Sequence, residues 1–264
     1  MTMQVDILLL TVYFICLGYV IYQMALSLEA ELEDQIKVLQ DQEILKSSVQ
    51  DQLARQGLPP ALAEVTALAP APLKPLPSLQ LQVLTPSPFS SEEDREVDGQ
   101  VIVQVLPQGP QLIQPLKALT VQVLNQTRNF QVSVDWDRSS FTRMNHQTYR
   151  VIRHTPGMRF DLALPQVISV VNPRQLLSTQ ITSEDSFGRH PDTQVLQVAS
   201  PLVNVPQLIN LPAKSRVYGL DLALQLLPLS GRGNPIGLLL PFQFQLEVLP
   251  AKIPIPYLDW ILRR

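Results

Sequence analysis

Residues 117–153 read KALTVQVLNQTRNFQVSVDWDRSSFTRMNHQTYRVIR, and this stretch decides the fold class. Leu119, Val121 and Val123 alternate with polar residues; Phe130, Val132, Val134 and Trp136 alternate with Gln131, Ser133 and Asp135. Such period-two alternation, in β-branched and aromatic residues, turns one face of each run to a core and the other to solvent. The polar residues 125–129 have the length of a hairpin connection. Residues 137–140 are expected to turn the chain, because short polar side chains bond the backbone at turns. Residues 147–153 make a third run. Trp136, the largest ring of the central strand, is expected to anchor the core.

Working outward, residues 100–106 open the β-region, and residues 158–164, 166–171, 195–199, 216–226 and 239–249 continue it. Residues 79–84 are a candidate edge strand. Residues 175–191 read as the longest polar loop and 229–235 as a tight turn. Short strands at this spacing, with proline at their ends, predict two packed antiparallel sheets over residues 100–250.

Asn125 and Thr127 (N-x-T), then Val134, Trp136, Asp137, Ser139, Ser140 and Phe141 (VxWDxSSF), then Arg150 and Val151 resemble a pattern of small bacterial lipoprotein domains of uncharacterised function. Residues 211–215 and the aromatic run 241–248 also fit it. The resemblance covers roughly residues 100–250 and implies an immunoglobulin-like β-sandwich in an exported, anchored setting, with no activity attached. No lipobox precedes Cys16, which departs from the pattern. The whole layout also resembles membrane-anchored proteins of cyanobacteria.

Residues 1–28 are expected to be a membrane anchor. Residues 7–28 carry no charge and, as a helix, would extend about 33 Å, the thickness of a bilayer's hydrocarbon core. A cleaved signal peptide fits less well, because no basic segment precedes the run and no small-x-small site follows it. Lys37 and Lys46 after the span favour a cytoplasmic C-terminal part, whereas the lipoprotein resemblance favours export; the side of the membrane stays open.

Residues 29–57 are expected to form an amphipathic stalk helix on Leu32, Ile36, Leu39, Leu45, Val49 and Leu53. Two readings remain, a short coiled coil pairing protomers and a helix lying on the domain or the bilayer. Residues 58–99 are expected to be a Pro-rich linker, with Pro70, Pro72, Pro75, Pro77, Pro86 and Pro88 stiffening it. Residues 251–264 form an amphipathic tail, where Tyr257, Trp260 and Ile261 either cap the sandwich or, with Arg263 and Arg264, meet a membrane interface.

Composition narrows the function. The 264 residues carry a net charge of −3, which gives no electrostatic reason to expect nucleic acid. The single cysteine excludes a disulfide within the chain. His146, His154 and His190 lack the spacing of metal ligands, and no phosphate-binding glycine loop or G-x-S-x-G occurs. Asp135 and Asp137 share a strand end, but no third carboxylate lies near them in sequence. Metal, cofactor and catalytic residues are therefore not expected.

Arginine usage is the one unusual feature. Residues 128–189 hold eight arginines and no lysine. Arg138, Arg143, Arg150 and Arg153 are the candidate interaction surface, since guanidinium suits carboxylate or phosphate partners; scattered solvated charges are the plainer reading. The expected protein is a single-pass membrane protein presenting a binding or scaffold module, and not an enzyme. Its partners would be the membrane, a further protein and, through the stalk, a second copy. The alternative is an envelope or membrane spacer that self-associates.

Overall fold

A computed structural model describes residues 10–20, 23, 35–67, 69–84, 97–154, 161–231 and 234–249. Strands take up 49% of the chain, so the protein is mainly β. In chain order they are β1 (Gln35–Gln40), β2 (Ala63–Thr66), β3 (Ser78–Leu84), β4 (Val97–Leu106), β5 (Gly109–Leu112), β6 (Leu119–Asn125) and β7 (Phe130–Thr142). There follow β8 (Thr148–His154), β9 (Ser169–Val171), β10 (Leu176–Ser183), β11 (Phe187–Arg189), β12 (Leu196–Val198), β13 (Val217–Pro228) and β14 (Ile236–Val248). Helix α1 spans residues 10–20 and α2 spans Gln42–Arg55.

The expected immunoglobulin-like sandwich is corrected to one antiparallel sheet curled into a half-barrel. Its order is β2-β3-β4-β6-β10-β8-β7-β13-β14-β1-β5, with β9 added on β7. The reason lies in β8. Its first half, Thr148 to Arg150, pairs with β7, and its second half, Val151 to His154, pairs with β10. One strand thus joins what would otherwise be two sheets. A sheet of this many strands has to curl, and the alternating apolar side chains meet inside it. Val121, Val132, Val134, Trp136, Leu222, Phe242 and Phe244 are all buried there, with Trp136 donating from Nε1 to the Ser169 hydroxyl at 2.9 Å.

Two segments not expected to be strands carry them. Residues 58–99, expected as linker, supply β2 and β3 and bury Ala63, Leu79, Leu81 and Val83; β3 lies inside the sheet, not at its edge. The loop expected over residues 175–191 carries β10, which lies between β6 and β8, and β11, which pairs with β12 in a separate two-stranded sheet. Of the strand expected at 158–164, residues 158–160 lie outside the described ones and residues 161–164 form no strand; residues 85–96 and the whole 251–264 tail also lie outside the described ones.

The expected stalk helix is corrected as well. Ile36 and Val38 alternate into the core from β1, which pairs with β14 from Ile36↔Val248 to Gln40↔Phe244. Asp41 then starts α2 by accepting from the Glu43 and Ile44 amides. Leu45, Val49 and Leu53, spaced four apart, are buried, and each buried aliphatic side chain contributes about 2 kcal/mol. The polar side of α2 is not a solvated stripe. Gln52 Nε2 donates to the Leu239 carbonyl at 2.6 Å and its Oε1 accepts from the Leu239 amide at 2.7 Å. Gln56 donates to the Gly237 carbonyl and Gln50 to that of Ala63. The helix therefore satisfies the part of the β14 edge that β1 leaves unpaired and reaches β2, near the other end of the sheet. Residues 29–34 lie outside the described ones.

The expected transmembrane helix is a further correction: among the described residues no helix is long and apolar enough to cross a membrane. The described part of that span is α1, and every one of its residues is exposed.

The β6–β7 connection is fastened from the opposite strand. Asp98 in β4 accepts from the Arg128 and Asn129 amides at 2.9 and 3.0 Å and from Asn129 Nδ2 at 2.6 Å. Buried Asn125 donates to the Phe130 and Val171 carbonyls and accepts from the Thr127 amide and hydroxyl. Gly99 lets the two backbones meet, since a Cβ there would stand 2.5 Å from the Gln126 carbonyl oxygen and its φ is +154°.

Candidate functional site

Residues 137–140 do not turn the chain, as expected from sequence, but bulge out of β7. Across from β13 the register jumps from Asp221↔Ser140 to Ala223↔Asp135. Asp135 Oδ1 accepts from the Asp137 and Arg138 amides, both at 3.1 Å. The Ser139 hydroxyl donates to the Asp135 carbonyl at 2.6 Å and accepts from the Ala223 amide at 3.0 Å, restoring the ladder across the gap.

The bulge separates β7 from the second half of β8, and Gln166 fills the opening. Its Nε2 donates to the Val151 carbonyl at 2.6 Å and its Oε1 accepts from the Arg153 amide at 2.8 Å. Its backbone amide donates to Asp137 Oδ2 at 2.7 Å. Three of the four candidate arginines are engaged nearby. Arg150 pairs with Asp137 at 3.6 Å and Glu184 at 3.3 Å, and it donates to the Leu162 carbonyl. Arg153 donates to the Ser169 hydroxyl at 2.8 Å. Arg143 pairs with Asp185 at 2.8 Å and lies over the Tyr149 ring. Only Arg138 among these four keeps an exposed side chain for which no acidic partner stands among the described residues. The arginines and the carboxylates Glu184 and Asp185 were legible in the sequence as charges of one region; their pairing, between residues distant in it, was not.

Beside the bulge runs an apolar ridge. Val167 is 72% exposed, Leu164 60%, and Ile168 and Val170 49% each. The segment is tied to β7 by Gln166 to Asp137 and by Ser169 to Trp136. Arg138 directly follows the Asp137 that holds it.

A second feature lies on the outer face of the three longest strands. Thr142, Gly219 and Gln243 stand side by side in register on β7, β13 and β14. Gly219 has no side chain, which leaves a hollow of about 290 Å³. Arg143 and His146 come from the β7–β8 turn, Lys214 and Ser215 from the approach to β13, and Asp221 from β13 itself. Burial pushes the Asp221 carboxyl above the usual carboxylate range, and the Ser140 hydroxyl, 3.3 Å away, offsets part of this. Tyr218 turns its ring the other way, into the core, stacked on Phe244 at 5.2 Å. Burial holds its phenol well above the ordinary range. Sequence reading did not single out Gly219, Lys214 or Asp221. The available signal was a glycine interrupting the VYGLDLAL alternation.

His154 and His190 do not join the hollow, and among the described residues no three His, Cys, Asp or Glu side chains group as metal ligands do. Asp135 and Asp137 serve backbone and side-chain donors within the bulge. Comparison with protein-family models, with curated proteins and with solved structures finds no match.

Proposed function

We propose that the protein is a binding or scaffold module that docks on a lipid surface through the ridge of Leu164, Val167, Ile168 and Val170. The observation that carries this reading is an apolar row exposed to this degree yet fastened by hydrogen bonds to β7, where Arg138 stands without an acidic partner among the described residues. An isolated exposed aliphatic residue needs no explanation, whereas a contiguous set does. Each side chain transferred from water to the acyl boundary contributes about 2 kcal/mol, and Arg138 adds about 1 kcal/mol against anionic headgroups. Exposed α1, with Leu10, Val12, Tyr13, Phe14 and Ile15, offers a second apolar contact. The resemblance to lipoprotein domains points to the same setting. A catalytic role has less support, because the carboxylates and arginines gathered at the bulge hold the sheet together.

Sedimentation of the full chain with phosphatidylcholine vesicles, with and without phosphatidylserine, tests the reading. The chain is expected to pellet with both and more strongly with the anionic set. Val167→Asp with Ile168→Asp should abolish pelleting, and Arg138→Glu should remove the anionic preference alone. Full pelleting of the double variant would overturn the ridge as the contact. Absence of pelleting by the unaltered chain, with concentration-dependent self-association instead, would favour the self-associating spacer.

A further inference from the structure

The hollow over Gly219 is independent of the lipid-facing ridge. Glycine within a long central strand costs about 0.5–1 kcal/mol relative to alanine, so its presence calls for a reason. The backbone supplies none: Gly219 has no positive φ, and an added Cβ would meet the Phe242 carbonyl oxygen at 3.6 Å and Thr142 Cβ at 3.8 Å, both ordinary contacts. A strand glycine that neither conformation nor crowding requires marks a place where another molecule approaches the sheet.

The hollow is electrically polar. Asp221 lies two residues beyond Gly219 on β13, about 7 Å at the rise of a strand, and pairs across to Ser140. Towards the other end the chain of β7 leaves Thr142 into the turn carrying Arg143 and His146, while Lys214 and Ser215 precede Val217. Arg143 is paired with Asp185 at 2.8 Å. Lys214 is exposed, and among the described residues no acidic group pairs with it. One end therefore attracts an anion and the other a cation, with the Thr142 hydroxyl and the Gln243 amide between them.

We propose that this hollow binds a small zwitterion of about dipeptide size, its carboxylate met by Lys214 and His146 beside Arg143 and its ammonium by Asp221. A simple anion satisfies only one end and leaves the half-buried Asp221 carboxylate facing a second negative charge. A simple cation leaves Lys214 unpaired. The zwitterion answers both, and the flat floor at Gly219 accommodates its backbone.

The test is titration of the full chain with glycylglycine, followed through the amide resonances of Thr142, Gly219 and Gln243. Saturable shifts are expected. N-acetyl-glycylglycine, which lacks the ammonium, and glycylglycine amide, which lacks the carboxylate, should each bind about tenfold more weakly, the loss of one charged hydrogen bond. Gly219→Leu fills the hollow from the outer face and should abolish the shifts while the thermal midpoint shows the chain folded. Should that variant not fold, Lys214→Glu serves instead, and it should selectively remove the advantage of the free carboxylate. No saturable shift in the unaltered chain would overturn the proposal. Equal binding of the blocked forms, or undiminished binding by Gly219→Leu, would do so too.

Discussion

Gly99 and Gly219 interrupt two strands of the same sheet for opposite reasons. At Gly99 the backbone is left-handed and the Gln126 carbonyl stands where a Cβ would be. At Gly219 the strand is ordinary and a methyl group fits. Around the first, Asp98 and Asn125 tie the backbone of the β6–β7 connection onto the chain itself. Around the second, Lys214, His146 and Asp221 line an open hollow, where Asp221 accepts from the Ser140 hydroxyl. One glycine serves the fold; the other serves something the fold does not contain.

The sharpest way to break this contrast is Gly99→Ala. Backbone strain and overpacking, each about 1–3 kcal/mol, should together lower stability by roughly 4 kcal/mol in urea or thermal unfolding. A loss under about 1 kcal/mol would mean the clamp yields freely, and the two glycines would no longer differ in kind.

A finer probe uses pH. The folded Asp221 carboxyl holds its proton more tightly than the unfolded one. Its stabilising effect is thus fully present below the ordinary value of 3.8 and is lost as pH rises through the raised folded value. Above that window the charged, half-buried carboxylate weakens the fold. Asp221→Asn should therefore raise the thermal midpoint at neutral pH, and the gain should shrink as pH falls. A gain independent of pH would place its cause elsewhere.

The smallest effect is expected at Gly219 itself. Gly219→Ala should change stability by no more than about 1 kcal/mol, and in the stabilising direction, because it removes unfolded-state freedom without creating a clash. Destabilisation well beyond that would show that the strand needs this glycine, and the hollow would lose its meaning.

Where the sequence was legible, burial on one face sufficed to decide. Val121, Val123, Phe130, Val132 and Trp136 alternate because each strand has one dry side, and all are buried. The failures share a different cause. Residues 35–56 carry apolar side chains at spacings that suit a helix, yet Ile36 and Val38 belong to a strand whose main partner is over 200 residues away. No local pattern records that pairing. Gln50, Gln52 and Gln56 looked like the wet side of a helix because glutamine reads as solvated; here each bonds the backbone of a strand edge. The bulge was misread as a turn for a related reason. Asp135 and Ser139 make the bonds of a turn, but Ala223 opposite holds the strand in line. At the candidate site the arginines and carboxylates were visible and their pairing was not, while the hollow depends on three strands meeting in register at a residue with nothing to show.

The pairing of β1 with β14 has a consequence in time. A ribosome delivers Ile36 early and Val248 late, and at about 5–20 residues per second the interval is on the order of ten seconds or more. Through that interval one side of β1 has no strand beside it, and the half-barrel has no far wall. The nascent chain therefore waits, its first strand held ready, until almost its last strand has been made.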